Sequence, residues 1–408
     1  MRYISYCFST LLLLFFLSSC GSESTPVYSL TTTPTPDEAG SVSPSSGEYD
    51  EGETVEITAT PNADWRFVRW AGDIAGDENP KTVIVDRDLS INAIFDDSPF
   101  EGGDGSEKYP YKVSTIDQLQ AIGESRYLDS YFIQINDIDA SETENWNNGK
   151  GFEPIGNFDE RFDGTYDGAG FKILKLSILR PEEQYIGLFG LIEEGELINI
   201  NITEATVSSS WLVGIIAGFN RFGKIHKSYA TGRVNGPVAG GIAGENHGEI
   251  YESGANAEVS NKEGQFTVAG GLVGINCEDG LISNSYSNGN VKGNSDVGGL
   301  VGYNCAEITY SFSTGEILVD EEENVETIGG FVGFIDGLVG AEIISGYWDK
   351  DSSGKEIGVG LGPSDGASGL TTTEMHGSSA EENMPELDWD EIWMTVSGDY
   401  PILRWQEN

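Results

Sequence analysis

The chain has 408 residues, 54 of them glycine, and its 22 basic against 67 acidic side chains leave a formal charge of −45. A surface of that sign is a poor partner for nucleic acid or for an anionic membrane face, and no stretch reaches the ~18 apolar residues of a membrane helix. The acidity suits an exported protein in saline surroundings, and it predicts that salt or calcium stabilises the fold if the charges lie along one side.

Residues 1–20 hold a basic start at Arg2, an apolar run from Leu11 to Leu17, and then Ser18, Ser19 and Cys20. A short run ending in small residues before a cysteine argues for a cleaved leader. It resembles the signal peptide and lipobox of bacterial lipoproteins. The resemblance implies that Cys20 becomes a lipidated first residue and, with Gly21 in place of Asp, that the destination is the outer membrane or cell surface. Residues 21–27 are a polar tether. Residues 28–97 read as a small β-rich module, with Val55, Ile57 and Ala59 in alternation, then Trp65, Phe67 and Trp70, then Val83 to Val85 and Ile91 to Phe95. The aromatics are read as its core in preference to a sugar-stacking platform. The order of GSVSPSSGEYDEGETVEITATP, WRFVRWAGD and INAIF resembles the divergent B-repeat of internalin-type surface proteins. Residues 98–106, rich in Gly, Asp, Glu and Ser, read as a linker.

Residues 107–186 form the N-terminal cap and first coil of a second domain. Ser114 is placed to cap a short helix whose stripe is Ile116, Leu119 and Ile122, and this helix would close the end of a stack of strands. From 187 to 346 a glycine phrase recurs, anchored at Gly190, Gly218, Gly244, Gly274, Gly302 and Gly333, with spacings of 28, 26, 30, 28 and 31 residues. That is a solenoid period. Short Val/Ile runs broken by Gly and Asn predict two to three short strands per coil, so the fold class is all-β: a parallel β-solenoid, or β-helix, of six to seven coils. Residues 347–408, with YWDKDSSG, GLTTTEM and DYPILRW, form the C-terminal cap.

Five blocks of constant length are read after the anchors, starting at Ile198, Ile225, Ile250, Ile282 and Ile308 and ending nine residues later. In them Asn201, Ser228, Ser253, Ser285 and Ser311 fall in one column, and Ala205, Gly232, Ala257, Gly289 and Gly315 in another. The anchors are read as coil boundaries. Asn220, Asn246, Asn276 and Asn304, each two residues after an anchor, predict a ladder of stacked amides. Cys277 and Cys305 occupy one column, where rung spacing admits either a disulfide or two stacked thiols. Leu188, Ile216, Ile242, Leu272, Leu300 and Phe331 alternate with Phe189, Ala217, Ala243, Val273, Val301 and Val332. Either the second column is an outward apolar stripe wanting a cover, such as another copy of the chain, or the glycines bend the strand and bury both.

From about Tyr109 onward the phrases resemble bacterial proteins with the GLUG motif, a family of surface proteins that includes haemagglutinin-like adhesins and immunoglobulin-cleaving metallopeptidases. A zinc peptidase needs two histidines one helical turn apart with a glutamate between, and His226, His247 and His376 lie in no such motif. Asp137 with Asp139, and Asp163 with Asp167, are the carboxylate pairs considered for glycosidase chemistry or calcium, with turn and surface roles preferred. Arg233, Lys262 and Lys292 do not make the basic stripe that a polyuronate lyase would want. The function expected is therefore a non-catalytic adhesion or ligand-binding module on a lipid-anchored surface protein, with a polysaccharide-active hydrolase and a structural spacer as alternatives. No cofactor is expected beyond a weak case for calcium. The partners expected are the membrane through the N-terminal lipid, a glycan or surface protein, and another copy through the apolar face. Binding is placed in two longer loops, around Lys262, Glu263 and Gln265 and around Asp320, Glu321, Glu322 and Glu323.

Overall fold

The computed structural model describes residues 25–260, 267–319, 327–337 and 340–407. Its chain falls into two units, one ending at Ser98 and the other starting at Pro99. In the first unit, alternating residues form β1 (Val27–Thr35), β2 (Gly40–Ser43), β3 (Ser46–Asp50), β4 (Glu53–Pro61), β5 (Arg66–Gly72), β6 (Lys81–Val85) and β7 (Leu89–Asp96). They make two sheets, β3-β1-β7-β5 and β2-β4-β6. Leu30, Ile57, Val85, Ile91 and Ala93 are buried between them around Trp70, whose indole N–H donates to the Glu78 carbonyl at 2.8 Å. Trp65 and Phe67 pack against this core, so the three aromatics serve packing.

The second unit is a parallel β-solenoid. A full coil holds four short strands, or five where the third is split as in 273–298, more than its length suggested; one coil runs through Ala217–Asn220, Lys224–His226, Tyr229–Asn235 and Val238–Gly240. The first of these stacks into a seven-stranded sheet, the two middle ones into a long flank sheet, and the last into a six-stranded sheet. Between the two middle strands the chain turns through a single left-handed residue, Asn199, Lys227, Glu252, Asn284, Tyr310 or Ser345, with φ between +45° and +55°. The serine that follows in four coils explains the small polar column. Ser228, Ser253, Ser285 and Ser311 are fully buried, and each hydroxyl donates to the carbonyl two residues before it while accepting the amide N–H of the coil before. The serine thus pairs one amide and one carbonyl that the buried corner would otherwise leave without partners.

Two expectations about the columns are corrected, and one left open is resolved. The first block does not start at Ile198: Leu197 pairs with Ile225, and Ile198 with His226. That block is one residue longer than the others, and the register recovers through a bulge between Ile202 and Ala205. Asn201 therefore aligns with Tyr229, outside the serine column, and Ile200 stands where the serine would be. Both apolar columns at the glycine phrase are buried, from Leu188 and Phe189 to Phe331 and Val332. The chain bends there from the six-stranded to the seven-stranded sheet, so strict alternation fails and both side chains turn inward. The outward stripe proposed for self-association is thus absent from these positions. The anchor glycines do not mark coil ends either; each is the second residue of a strand. They are glycine because the bend brings another strand across them: a Cβ on Gly218 would lie 2.5 Å from the amide nitrogen of Ile186.

The asparagine ladder runs through the interior. Asn220, Asn246 and Asn276 each donate from Nδ2 to Oδ1 of the next asparagine at 2.7–2.8 Å, and Asn304 closes on the Ala306 carbonyl at 2.8 Å. All four side chains are fully buried. Beside the ladder, Cys277 and Cys305 are joined by a disulfide, with 4.7 Å between their Cα atoms.

At the N-terminal end, α1 (Ile116–Ala121) buries Ile116, Leu119 and Ile122 as its stripe requires, but Thr115, not Ser114, is the cap, accepting the Gln118 amide. Residues 99–106 are not a free linker. Phe100 is buried among Tyr111, Tyr127 and Phe132, and Glu101 and Gly102 bond to Lys112. The C-terminal region is also not simply a cap. Glu342–Asp349, Val359–Leu361 and Ala367–Leu370 continue the stack as a last coil, and the chain leaves the stack only after Leu370.

Candidate binding cleft

The residue after the corner serine points away from the core. Read along the flank sheet, that column is Lys172, Asn201, Tyr229, Gly254, Tyr286, Phe312 and Tyr347. Stacked rings on a sheet surface need a cover. Residues after Leu370 supply it through two short helices, Thr372–Met375 and Ser378–Asn383, and a hairpin of Trp393–Val396 and Asp399–Leu403. Met375, Met384, Leu387, Trp393 and Leu403 are buried against Tyr286, Phe312 and Tyr347. The three C-terminal phrases noted in the sequence meet at one buried carboxylate. Asp349 accepts the Tyr400 hydroxyl and the Thr372 hydroxyl, each at 2.6 Å, and the amides of Asp351 and Ser352.

The cover ends at the turn Arg404–Gln406, above the middle of the column. Beyond it the rungs change from aromatic to polar, and a cleft of about 640 Å³ opens, a size that suits a small ligand. Lys172, Asn201 and Tyr229 line it from the flank sheet, Asn199 from a corner, and Ile402, Trp405 and Gln406 from the cover. Tyr286 closes its inner end. Trp405 is fixed by its indole N–H donating to the Glu252 carbonyl at 2.9 Å, and Gln406 Oε1 accepts the Tyr286 hydroxyl at 2.9 Å. Gly254 leaves room for the Tyr286 ring, which a Cβ would meet at 2.6 Å. Burial raises the phenol pKa of both Tyr229 and Tyr286, so both hydroxyls stay neutral. Asn201 Oδ1 is buried from water and has no hydrogen-bond partner in the protein.

The residues singled out from the sequence lie elsewhere. Asp137 accepts the Lys172 amide, Asp139 the Ser141 amide, and Asp167 the Ala169 amide and the Asn199 side chain, all as turn fasteners. Asp163 accepts the Glu194 amide at 3.4 Å. The histidines are dispersed: His226 meets Glu196, His247 meets Glu245 and Glu278, and His376 lies against the Tyr400 ring. Among the described residues no three His, Cys, Asp or Glu side chains converge as metal ligands would. Cys20 and the loop residues Lys262, Glu263, Gln265, Asp320, Glu321, Glu322 and Glu323 lie outside the described residues. The cleft was missed, although the sequence carried a signal: Ser228-Tyr229, Ser285-Tyr286 and Ser311-Phe312 repeat an aromatic at an outward position.

Comparison with known proteins bears on the two units differently. Residues 30–99 match the model of the divergent InlB B-repeat domain, so the first unit is a module of that kind. The chain is similar to halomucin of Haloquadratum walsbyi, 32% identical over 342 residues, which is 80% of this chain and 4% of that protein. It is also 34% identical over 134 residues to a candidate Gly-rich membrane protein of Evansella cellulosilytica, covering 32% of this chain and 15% of that one. The chain thus spans only a small part of either relative. A solved structure, a candidate immunoglobulin A1 protease from Bacteroides ovatus, superposes with a TM-score of 0.57 at 22% identity, over 76% of this chain and 96% of the other. That likeness shows the β-solenoid fold.

Proposed function

We propose that this chain is an exported, lipid-anchored envelope protein whose solenoid is a non-catalytic binding module. The observation that carries the reading is the cleft beside the C-terminal cover. It is lined by rings and amides, while Asp137, Asp139 and Asp167, considered for catalysis, accept backbone amides of the fold. The export and anchoring part rests on the run from Leu11 to Cys20 and its resemblance to a lipobox, and the names of the relatives agree with an envelope location. The GLUG resemblance of the repeats supports a surface role of the adhesin type. Cys20→Ala is expected to abolish incorporation of labelled palmitate and release the chain from the membrane fraction. Protease applied to intact cells is expected to digest the chain if it faces outward. The purified full chain is expected to retain a glycan or surface protein without altering it; depolymerisation of a glycan, lost on replacing a carboxylate pair, would overturn the non-catalytic reading.

A further inference from the structure

We infer that the cleft between the flank sheet and the C-terminal cover is a site for an uncharged saccharide of two or three pyranose units. This rests on the binding-module reading and names its ligand class. The cleft is lined by two kinds of group. Tyr229 and Trp405 supply aromatic surface suited to the apolar C–H side of a pyranose, and Asn199, Asn201 and Gln406 supply amides suited to its hydroxyls. The amides are not used up by the fold. Asn201 lines the cleft, and its covered Oδ1 has no donor in the protein. Gln406 spends its oxygen on the Tyr286 hydroxyl and the Leu403 amide, leaving its NH₂ available among the described residues.

The site is also built rigidly. Trp405 is tied to the Glu252 carbonyl, so its ring is held in place before any ligand arrives. Asn201 faces outward because it stays in register with Tyr229, as Leu197 does with Ile225; the extra residue after Ile202 restores the register of the residues that follow. Charge argues for an uncharged ligand. A chain of net charge −45 repels polyuronates at a distance, and Lys172 is the one basic side chain at the cleft.

The test is titration of the purified full chain, read by tryptophan fluorescence and calorimetry, with cellotriose, maltotriose, mannotriose, chitotriose and trigalacturonate. One or more neutral trisaccharides should bind with 1:1 stoichiometry, and trigalacturonate should bind at least tenfold more weakly. Asn201→Leu should weaken binding by at least tenfold. Trp405→Phe, which keeps a ring at the site, should weaken it severalfold while the circular dichroism spectrum and unfolding midpoint stay those of the parent. Neutral binding that survives both variants would place the ligand elsewhere and overturn the assignment of the cleft, leaving the binding-module reading intact. Preference for trigalacturonate would overturn the ligand class. No binding to any of the five, with retention of a surface protein by the same preparation, would overturn the saccharide inference alone; failure of both assays would overturn the module reading with it.

Discussion

Asn246, inside the solenoid, and Asn201, on its flank, carry the same amide into opposite surroundings. Asn246 is bonded on both sides by identical neighbours, and every polar atom it brings into the core has a partner. Asn201 sits in a column whose other members are a lysine, a glycine and four aromatic residues, and its oxygen is left over. A repeat satisfies its own polar groups by making consecutive coils alike. It can offer a polar group to something else only where the likeness breaks, and here the break is an asparagine in a column whose next member is a tyrosine.

The contrast is tested most severely at Asn246→Leu. It leaves Oδ1 of Asn276 without its donor in a dry interior and Nδ2 of Asn220 with only the Gly223 carbonyl, so urea unfolding of the solenoid should lose about 3 kcal/mol. Alkaline titration should next separate the cover from the stack. The phenol of Tyr400 is pushed up to about 12, by burial first and then by its bond to Asp349, and burial raises Tyr229, Tyr286 and Tyr347 as well. The folded state holds these protons more tightly than the unfolded chain, whose phenols titrate near pH 10. Their contribution is therefore complete below about pH 10 and is lost as pH rises toward 12. Phenolate absorbance and tryptophan emission should change together in that window, before the strand signal in circular dichroism. Asn220→Leu, at the ladder's end, should cost less, about 1–2 kcal/mol, because it takes the donor from Asn246 Oδ1 but also removes an oxygen that already lacks one. Asn201→Leu should shift stability by less than about 0.5 kcal/mol while removing saccharide binding. A large stability loss there would make Asn201 a structural residue and erase the contrast.

The solenoid was legible because its period is written in glycines, and the ladder because four asparagines keep a fixed offset from them. Geometry hidden from pattern caused the misreadings. Leu197 and Ile198 are both apolar, so counting could not tell which faces the core, and the wrong choice moved Asn201 into the serine column. Alternation alone left the faces of Ile216 and Ala217 open, and a sheet bend at that point turns both inward. The cleft was the least legible part. Its floor comes from successive coils and its roof from Trp405 and Gln406, far along the chain from Asn201 and Tyr229. No local pattern joins them.

The amide ladder has a consequence for how such a chain can change length. Asn246 and Asn276 each give and receive the same bond, and Ser228, Ser253 and Ser285 do likewise through amide and hydroxyl, so a coil copied between Gly223 and Asn304 finds the matching donors and acceptors waiting. Duplication inside that window extends both ladders without interrupting them. A copy made at Ile192, where the ladder has not begun, or at Ile335, where it has ended, inherits no such match. The ladder thus marks the stretch of the gene in which unequal recombination yields a protein that still folds.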